Sequence, residues 1–456
     1  MTRASDVANI LKQPFTTTLG TSNYRAGVNA GDSVASGGNY NTVVGDEAGT
    51  ALTTGDNNVA VGYEALKTED ANGTNVAIGY QALKVQNAGA DAGNVAIGYQ
   101  TGVAITTGAN NVLVGGSTGD AMTEGTRNVA VGKDAMGATT TATDNVAIGS
   151  IDAAAEATLG LNQTGSNNVA IGGGTLHHAT GGNNVAVGYR AGKEITSSTN
   201  NTIVGYLAGG GESAAAMTGG YHVVIGRQAG SRMTSAEENT LIGNVAGDQL
   251  TSGSYNIFMG PGAGTHAVNV TTGSKNIIIG YVADLSAADG QNQIVMGYDQ
   301  SGLGDNNFTF GNGASGADSN IAFGATSITA PSDERLKEDI KDETIGLAFV
   351  NELRPVTFRW KKKKDIPEEM YAYDKDSDER CMNGKYNHGF IAQEVKAVMD
   401  KYDFKEGTQL WTQDPNYGQR QRLGESELIP FLVKAVQELS AKNTALEARI
   451  TVLESK

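Results

Sequence analysis

The sequence predicts a mainly β fold: a parallel β-solenoid body followed by an α+β domain that ends in a coiled-coil helix. Three observations carry this. A short unit, Asn followed by three Val/Ile/Ala-rich residues and Gly, recurs from Asn58-Val59-Ala60-Val61-Gly62 onward. Composition changes abruptly at Ser332. The final segment carries apolar residues at alternating spacings of 3 and 4.

The chain has 456 residues, room for two to four domains at ~100–200 residues each. Its 62 Gly and 7 Pro are too few for collagen, which needs Gly at every third position. Cys381, the single cysteine, cannot form an internal disulfide. The net charge of −16 disfavours nucleic acid and anionic lipid, since both attract a Lys/Arg surplus. No apolar run approaches the ~18 residues of a membrane helix. Met1-Thr2-Arg3-Ala4-Ser5-Asp6 lacks a signal-peptide core, so a soluble chain folded in a cytosol is expected, without membrane insertion.

Residues 1–331 hold 56 of the glycines and no Trp, with 12 Lys/Arg against 25 Asp/Glu. Residues 332–456 hold 6 glycines and both Trp, with 21 Lys/Arg against 24 Asp/Glu. We divide the chain into a segment 1–40, a repeat body 41–331 and a domain 332–456.

The repeat glycines run from Gly45 to Gly324, 17 in all, and nine of their 16 spacings equal 17 residues. Val-Ala-Val reads as a three-residue strand, and Gly allows the bend that follows. Turn chemistry such as Thr-Thr-Gly and Gly-Asn-Asn separates the strands. A lone three-residue strand cannot bury a face, but stacked coils can. The sequence suggests that Val/Ile positions form the inner stripe and that the small central residue, Ala in most early strands, points outward. That outward stripe would let another chain approach closely, making the solenoid an oligomer. The repeated Asn suits an amide ladder between coils. At ~4.8 Å per strand the stack would be on the order of 80 Å long.

These repeats resemble the heads of trimeric adhesins over roughly residues 41–325. The resemblance implies a left-handed parallel β-roll with three chains side by side.

The domain opens with Pro331-Ser332-Asp333-Glu334-Arg335-Leu336-Lys337. Two further blocks follow, His388-Gly389-Phe390-Ile391-Ala392-Gln393-Glu394-Val395 and Glu427-Leu428-Ile429-Pro430-Phe431-Leu432-Val433-Lys434. In this order they resemble the intramolecular chaperone domain of phage endosialidases and tail spikes, the S74 peptidase family. The resemblance implies a trimer whose chaperone helps the β body assemble and then cuts itself off. It implies Ser332 as nucleophile, Lys337 as general base, and Pro331–Ser332 as the broken bond. A hydroxyl needs such a base, a lysine serves only when neutral, which asks for burial, and attack on the adjacent carbonyl gains from proximity. The competing reading is that Ser332 simply caps a helix.

Ile429, Val436, Asn443 and Ile450 share one heptad position, and Leu432, Leu439, Leu446 and Leu453 the other. β-Branched residues at a, with Asn, favour two strands in isolated peptides. A helix tethered to a trimeric body would instead take its symmetry, and three is the expectation.

Other motifs carry less. The run Lys361 to Lys364, with Asp365, Glu368 and Glu369 after it, reads as a solvated hairpin tip. Adjacent His177 and His178 lack metal spacing, His222 and His266 occupy polar repeat positions, and Cys381 reads as a passive thiol. No cofactor or metal is expected. Tyr63, Tyr80, Tyr99, Tyr189, Tyr206, Tyr281 and Tyr298 each follow a repeat Gly. They form either a stacking ladder that stiffens the solenoid or a stripe that stacks on sugars.

The function expected is a phage tail fibre or spike subunit in the virion, recognising a host surface receptor, expected to be a glycan. Its opening, including Val7-Ala8-Asn9-Ile10-Leu11-Lys12, would join tail or baseplate proteins. Alternatives are a glycan depolymerase, which needs paired carboxylates, and a non-phage trimeric adhesin.

Overall fold

A computed structural model describes residues 20–455 except 213–214, 316, 326–328, 330–331, 371, 383, 405–407 and 415–419. Pro331 and the stretch Val7–Lys12 lie outside the described residues. The chain divides into two compact units, Met1–Pro331 and Ser332–Lys456.

The first unit is a parallel β-solenoid within an 18-stranded sheet. Three-residue strands from Tyr24–Ala26 to Ile277–Ile279 pair in register with the strand one coil on. A five-residue strand, Ile294–Tyr298, and a six-residue strand, Asn307–Asn312, continue the parallel stack. Ala317–Ala322 then folds back antiparallel.

Both ends differ from the sequence reading. Tyr24–Ala26 pairs with Thr42–Val44, so the stacked strands begin before residue 41. The copy ending at Gly324 is not a further coil. Its strand follows the turn at Gly313–Ser315, pairs antiparallel with Asn307–Asn312, and so forms a hairpin that caps the stack.

The larger correction concerns which side of the strand is inside. The central residues, Ala60, Ala77, Ala96, Leu113 and Ala130 among them, are fully buried. The flanking residues are half-buried or exposed, as with Ile78, Ile97, Val112, Val131 and Ile148. The central position holds Leu113, Ile203, Leu241, Phe258 and Ile278 in other coils, all fully buried, so the central residue faces the interior whatever its size. The β-branched pair is left outside as two parallel apolar columns.

Two devices hold coil to coil. One is a buried ladder of Asn side chains. Each Asn Oδ1 accepts the backbone N–H of the corresponding residue in the next coil, from Asn41 N–H on Asn23 (2.8 Å) to Gln293 N–H on Asn276 (2.8 Å). Its Nδ2 donates to a turn carbonyl, as Asn111 does to Gly125 (2.8 Å) and Asn128 to Ala142 (2.9 Å). Buried backbone N–H groups at the corners are thereby satisfied. The other device is the repeat glycine. Gly172 has φ +128°, and a Cβ there would lie 2.6 Å from the carbonyl oxygen of Gly188. Only glycine serves both demands.

His222 takes an Asn position in the ladder. Its Nδ1 accepts the Asn239 N–H (3.2 Å) and its Nε2 donates to the Ala236 carbonyl (2.9 Å), reproducing the acceptor and donor of an amide. Burial lowers its pKa to about 4, so it is held neutral.

The tyrosines stack, and all but the half-buried Tyr189 stay exposed. Ring centroids are 5.4 Å apart for Tyr63–Tyr80, 5.2 Å for Tyr80–Tyr99, 5.5 Å for Tyr189–Tyr206 and 5.4 Å for Tyr281–Tyr298.

The second unit is α+β around an ordinary core. Helices α1 (Leu347–Glu352), α2 (Ala392–Met399) and α3 (Leu428–Glu454) surround Phe349, which is fully buried. Its ring meets those of Tyr402, Phe404 and Phe431 edge-on at 5.2–5.6 Å. Leu428, Phe431 and Ala435, at i, i+3 and i+7, form the buried face of α3. Two small antiparallel sheets complete the unit: Val356–Phe358 with Asn387–Gly389, and Trp411–Asp414 with Arg420–Leu423. No helix among the described residues is long and apolar enough to cross a membrane.

Candidate functional site

The start of the second unit brings two of the sequence-predicted residues together. Ser332 and Asp333 are extended, and Glu334–Leu336 makes a single 3-10 turn. Asp333 caps that turn, its Oδ1 accepting the Arg335 N–H at 2.9 Å. The Arg335 guanidinium grips the same carboxylate with Nε at 3.0 Å and Nη2 at 2.6 Å. The Arg335 hydrogen bonds hold the Asp333 carboxyl below its ordinary pKa. Lys337 closes the turn, its N–H bonded to the Glu334 carbonyl (3.0 Å). One turn is enough to bring residue 337 back over residue 332: Lys337 Nζ donates to Ser332 Oγ at 2.8 Å.

It is Asp333, not Ser332, that caps the turn, which leaves the Ser332 hydroxyl to the lysine. In its neutral form the same amine, at the same distance, can accept the hydroxyl proton. Ser332 and Lys337 are both exposed. The burial that the sequence reading asks of Lys337 is therefore not supplied within one chain. The carbonyl on the other side of the bond belongs to Pro331 and lies outside the described residues.

Residues 332–403 match the family model described as chaperone of endosialidase. The matched span begins at Ser332 and takes in α1 and α2. Comparison with curated proteins and with solved structures returns no match.

Beyond the matched span, the heptad residues sit on α3 as spaced. Ile429, Leu432, Val436, Leu439, Leu446, Ile450 and Leu453 are all exposed, between 46% and 68%. Asn443 lies on the same exposed stretch. The lysine run is paired across its hairpin rather than with the acids that follow it. Lys362 and Lys364 both reach Asp378 at 2.6 Å, and Lys363 reaches Glu379 at 2.7 Å. Those partners come from the returning arm, beyond the reach of a local spacing rule. The Cys381 thiol donates to the Lys361 carbonyl (2.9 Å) in the same hairpin.

In the solenoid, His178 does have a carboxylate neighbour, Glu194 from the next coil at 3.0 Å, while His177 bonds the Ala157 carbonyl. No group of three or more His, Cys, Asp or Glu able to hold a metal occurs among the described residues. Asp152 and Glu156 come together in the widened coil, but Arg190 (2.5 and 3.0 Å) and Lys193 (2.8 Å to Glu156) neutralise them. Sequence reasoning missed this cluster because its members are far apart along the chain.

Proposed function

We propose that the chain is a phage tail fibre or spike subunit. In this reading it assembles as a homotrimer in the virion, attaches through its N-terminal end to tail or baseplate proteins, and recognises a host surface receptor with the solenoid. The chaperone domain drives assembly and then releases itself by cutting between Pro331 and Ser332.

The observation that carries this reading is the 2.8 Å contact of Lys337 Nζ with Ser332 Oγ at the first residues of the matched domain. Ser332 Oγ attacks the Pro331 carbonyl carbon while its proton passes to neutral Lys337. The C–N bond breaks as the Lys337 ammonium returns that proton to the leaving nitrogen, giving an ester on Oγ and a free Ser332 amine. Water then hydrolyses the ester, leaving a Pro331 carboxylate. The neutral amine requires cover, and in this reading neighbouring chains provide it, so cutting follows assembly.

Two apolar surfaces support a trimer. They are the paired Val/Ile columns of the solenoid and the heptad seam of α3, each exposed on a single chain. The sequence assigned lateral packing to the Ala stripe; the buried Ala moves that role to the β-branched columns.

The test is expression of the full chain followed by a denaturing gel and light scattering. A fragment of roughly three-quarters of the chain is expected, ending at residue 331. Ser332→Ala and Lys337→Ala each abolish it while leaving a folded trimer. An uncut wild-type trimer would sink the self-cleavage, and a wild-type monomer would sink the trimer.

A further inference from the structure

The tyrosine ladder on the N-terminal half of the solenoid stops one rung short of a residue that could continue it. Tyr63, Tyr80 and Tyr99 stack ring on ring. The corresponding position in the next coil is Gly116, where a Cβ would meet nothing within 4 Å. The coil beyond carries Lys133 there, 63% exposed in its side chain, with its ammonium 3.3 Å from the Asp134 carboxylate. Tyr99 thus presents one ring face to an open gap, and it is the most exposed of the three tyrosines, at 56% against 41% and 43%. At ~4.8 Å per coil, the gap between the Tyr99 and Lys133 positions is about 10 Å, room for a single flat ring in stacking contact.

The Tyr189–Tyr206 ladder ends differently. Arg190 lies over the Tyr189 ring at 5.3 Å and Arg227 over Tyr206 at 6.0 Å. Gly173, one coil before Tyr189, has its space filled, with Ser150, Asp152 and Tyr189 within 3.9 Å of a Cβ.

The edge of the gap is polar. Beside the tyrosine column runs a carboxylate-amide row, in which Gln81 donates to Glu64 (2.8 Å) and Gln100 to Gln81 (2.9 Å). The row ends at Gln100, whose Oε1 receives no hydrogen bond among the described residues. Ser117 follows in the next coil with its hydroxyl likewise unused. We propose that the gap is a seat for one pyranose ring of a glycan. A pyranose has an apolar C–H face, which fits the Tyr99 ring, and a rim of hydroxyls, which fits Gln100 Oε1, Ser117 Oγ and Lys133 Nζ. An aromatic side chain would stack equally well but would leave that polar edge unmet.

This deepens the reading of the solenoid as the receptor-binding body and rests on it for biological meaning. The test is saturation-transfer NMR on the full chain with methyl β-glucopyranoside, methyl β-galactopyranoside and N-acetylglucosamine. Transfer to the ring C–H protons of at least one sugar is expected. Gly116→Tyr adds the missing rung at a position without positive φ, so the chain folds and the seat closes. Transfer should fall at least about tenfold in Gly116→Tyr and about fivefold in Tyr99→Ala, and stay unchanged in Tyr281→Ala. Absence of transfer from all three sugars, or full transfer in a folded Gly116→Tyr chain, overturns the seat. Adsorption to host cells separates the two readings. Equal adsorption by wild type and Gly116→Tyr overturns the seat and keeps the receptor reading. Sugar transfer lost in Gly116→Tyr, with no adsorption by wild type, keeps the seat and overturns the receptor reading.

Discussion

The two units solve the problem of a core in opposite ways. The solenoid distributes its interior over many coils, each burying small residues such as Ala60, Ala77 and Ala96, and ties them with an Asn ladder. The C-terminal unit concentrates its interior around one residue, Phe349, on which three other aromatic rings converge. A distributed core should fail locally, coil by coil, because each coil touches only its neighbours. A concentrated core should fail as a whole.

Phe349→Ala gives the largest effect expected from one side chain, about 3–5 kcal/mol. Denaturant melting followed by Trp fluorescence reads this unit selectively, since both Trp residues lie in it. The solenoid strands should keep their hydrogen-exchange protection. Loss of protection along the whole solenoid would break the comparison.

Acid tests the ladder. His222 is neutral and buried, with a pKa of about 4 against the usual ~6.5. Between those values the unfolded chain binds a proton that the folded chain refuses. Stability is therefore full above about pH 6.5 and falls as pH drops toward 4, by on the order of 3 kcal/mol from this residue. His222→Asn restores an ordinary rung and should flatten that part of the profile. Thermal melting at pH 7 and pH 4.5 measures it.

Gly172→Ala combines a disallowed φ with a clash on the Gly188 carbonyl, costing about 1–3 kcal/mol in backbone strain alone. Exchange should quicken in Val169–Ile171 and Val185–Val187 while Ile277–Ile279 is untouched. The smallest effect is at the surface. Tyr80→Ala removes two stacking contacts and should cost about 1–2 kcal/mol, visible as a small shift in solenoid melting.

Much of this was readable from residues. The repeat Gly and Asn announced the coil, because Gly tolerates the corner and a short amide supplies both the acceptor and the donor that join coil to coil. The Ser332–Lys337 pairing was legible as a motif, and one 3-10 turn realises it. The first coil at Tyr24–Ala26 was missed because Arg25 breaks the apolar strand pattern. The Lys362–Asp378 and Arg190–Asp152 pairs were missed because they join segments distant in sequence.

The sequence by itself determined the period, the corner chemistry, the change of character at Ser332 and the heptad on the final helix. Which face of each strand turns inward was decided only by tertiary structure. A Val-Ala-Val strand alternates equally well either way, since period-2 patterning names two faces without ranking them. The ranking comes from closure of the coil, which turns the central residue inward, whether Ala60, Leu113 or Phe258, and leaves the β-branched pair outside, exposed on a single chain.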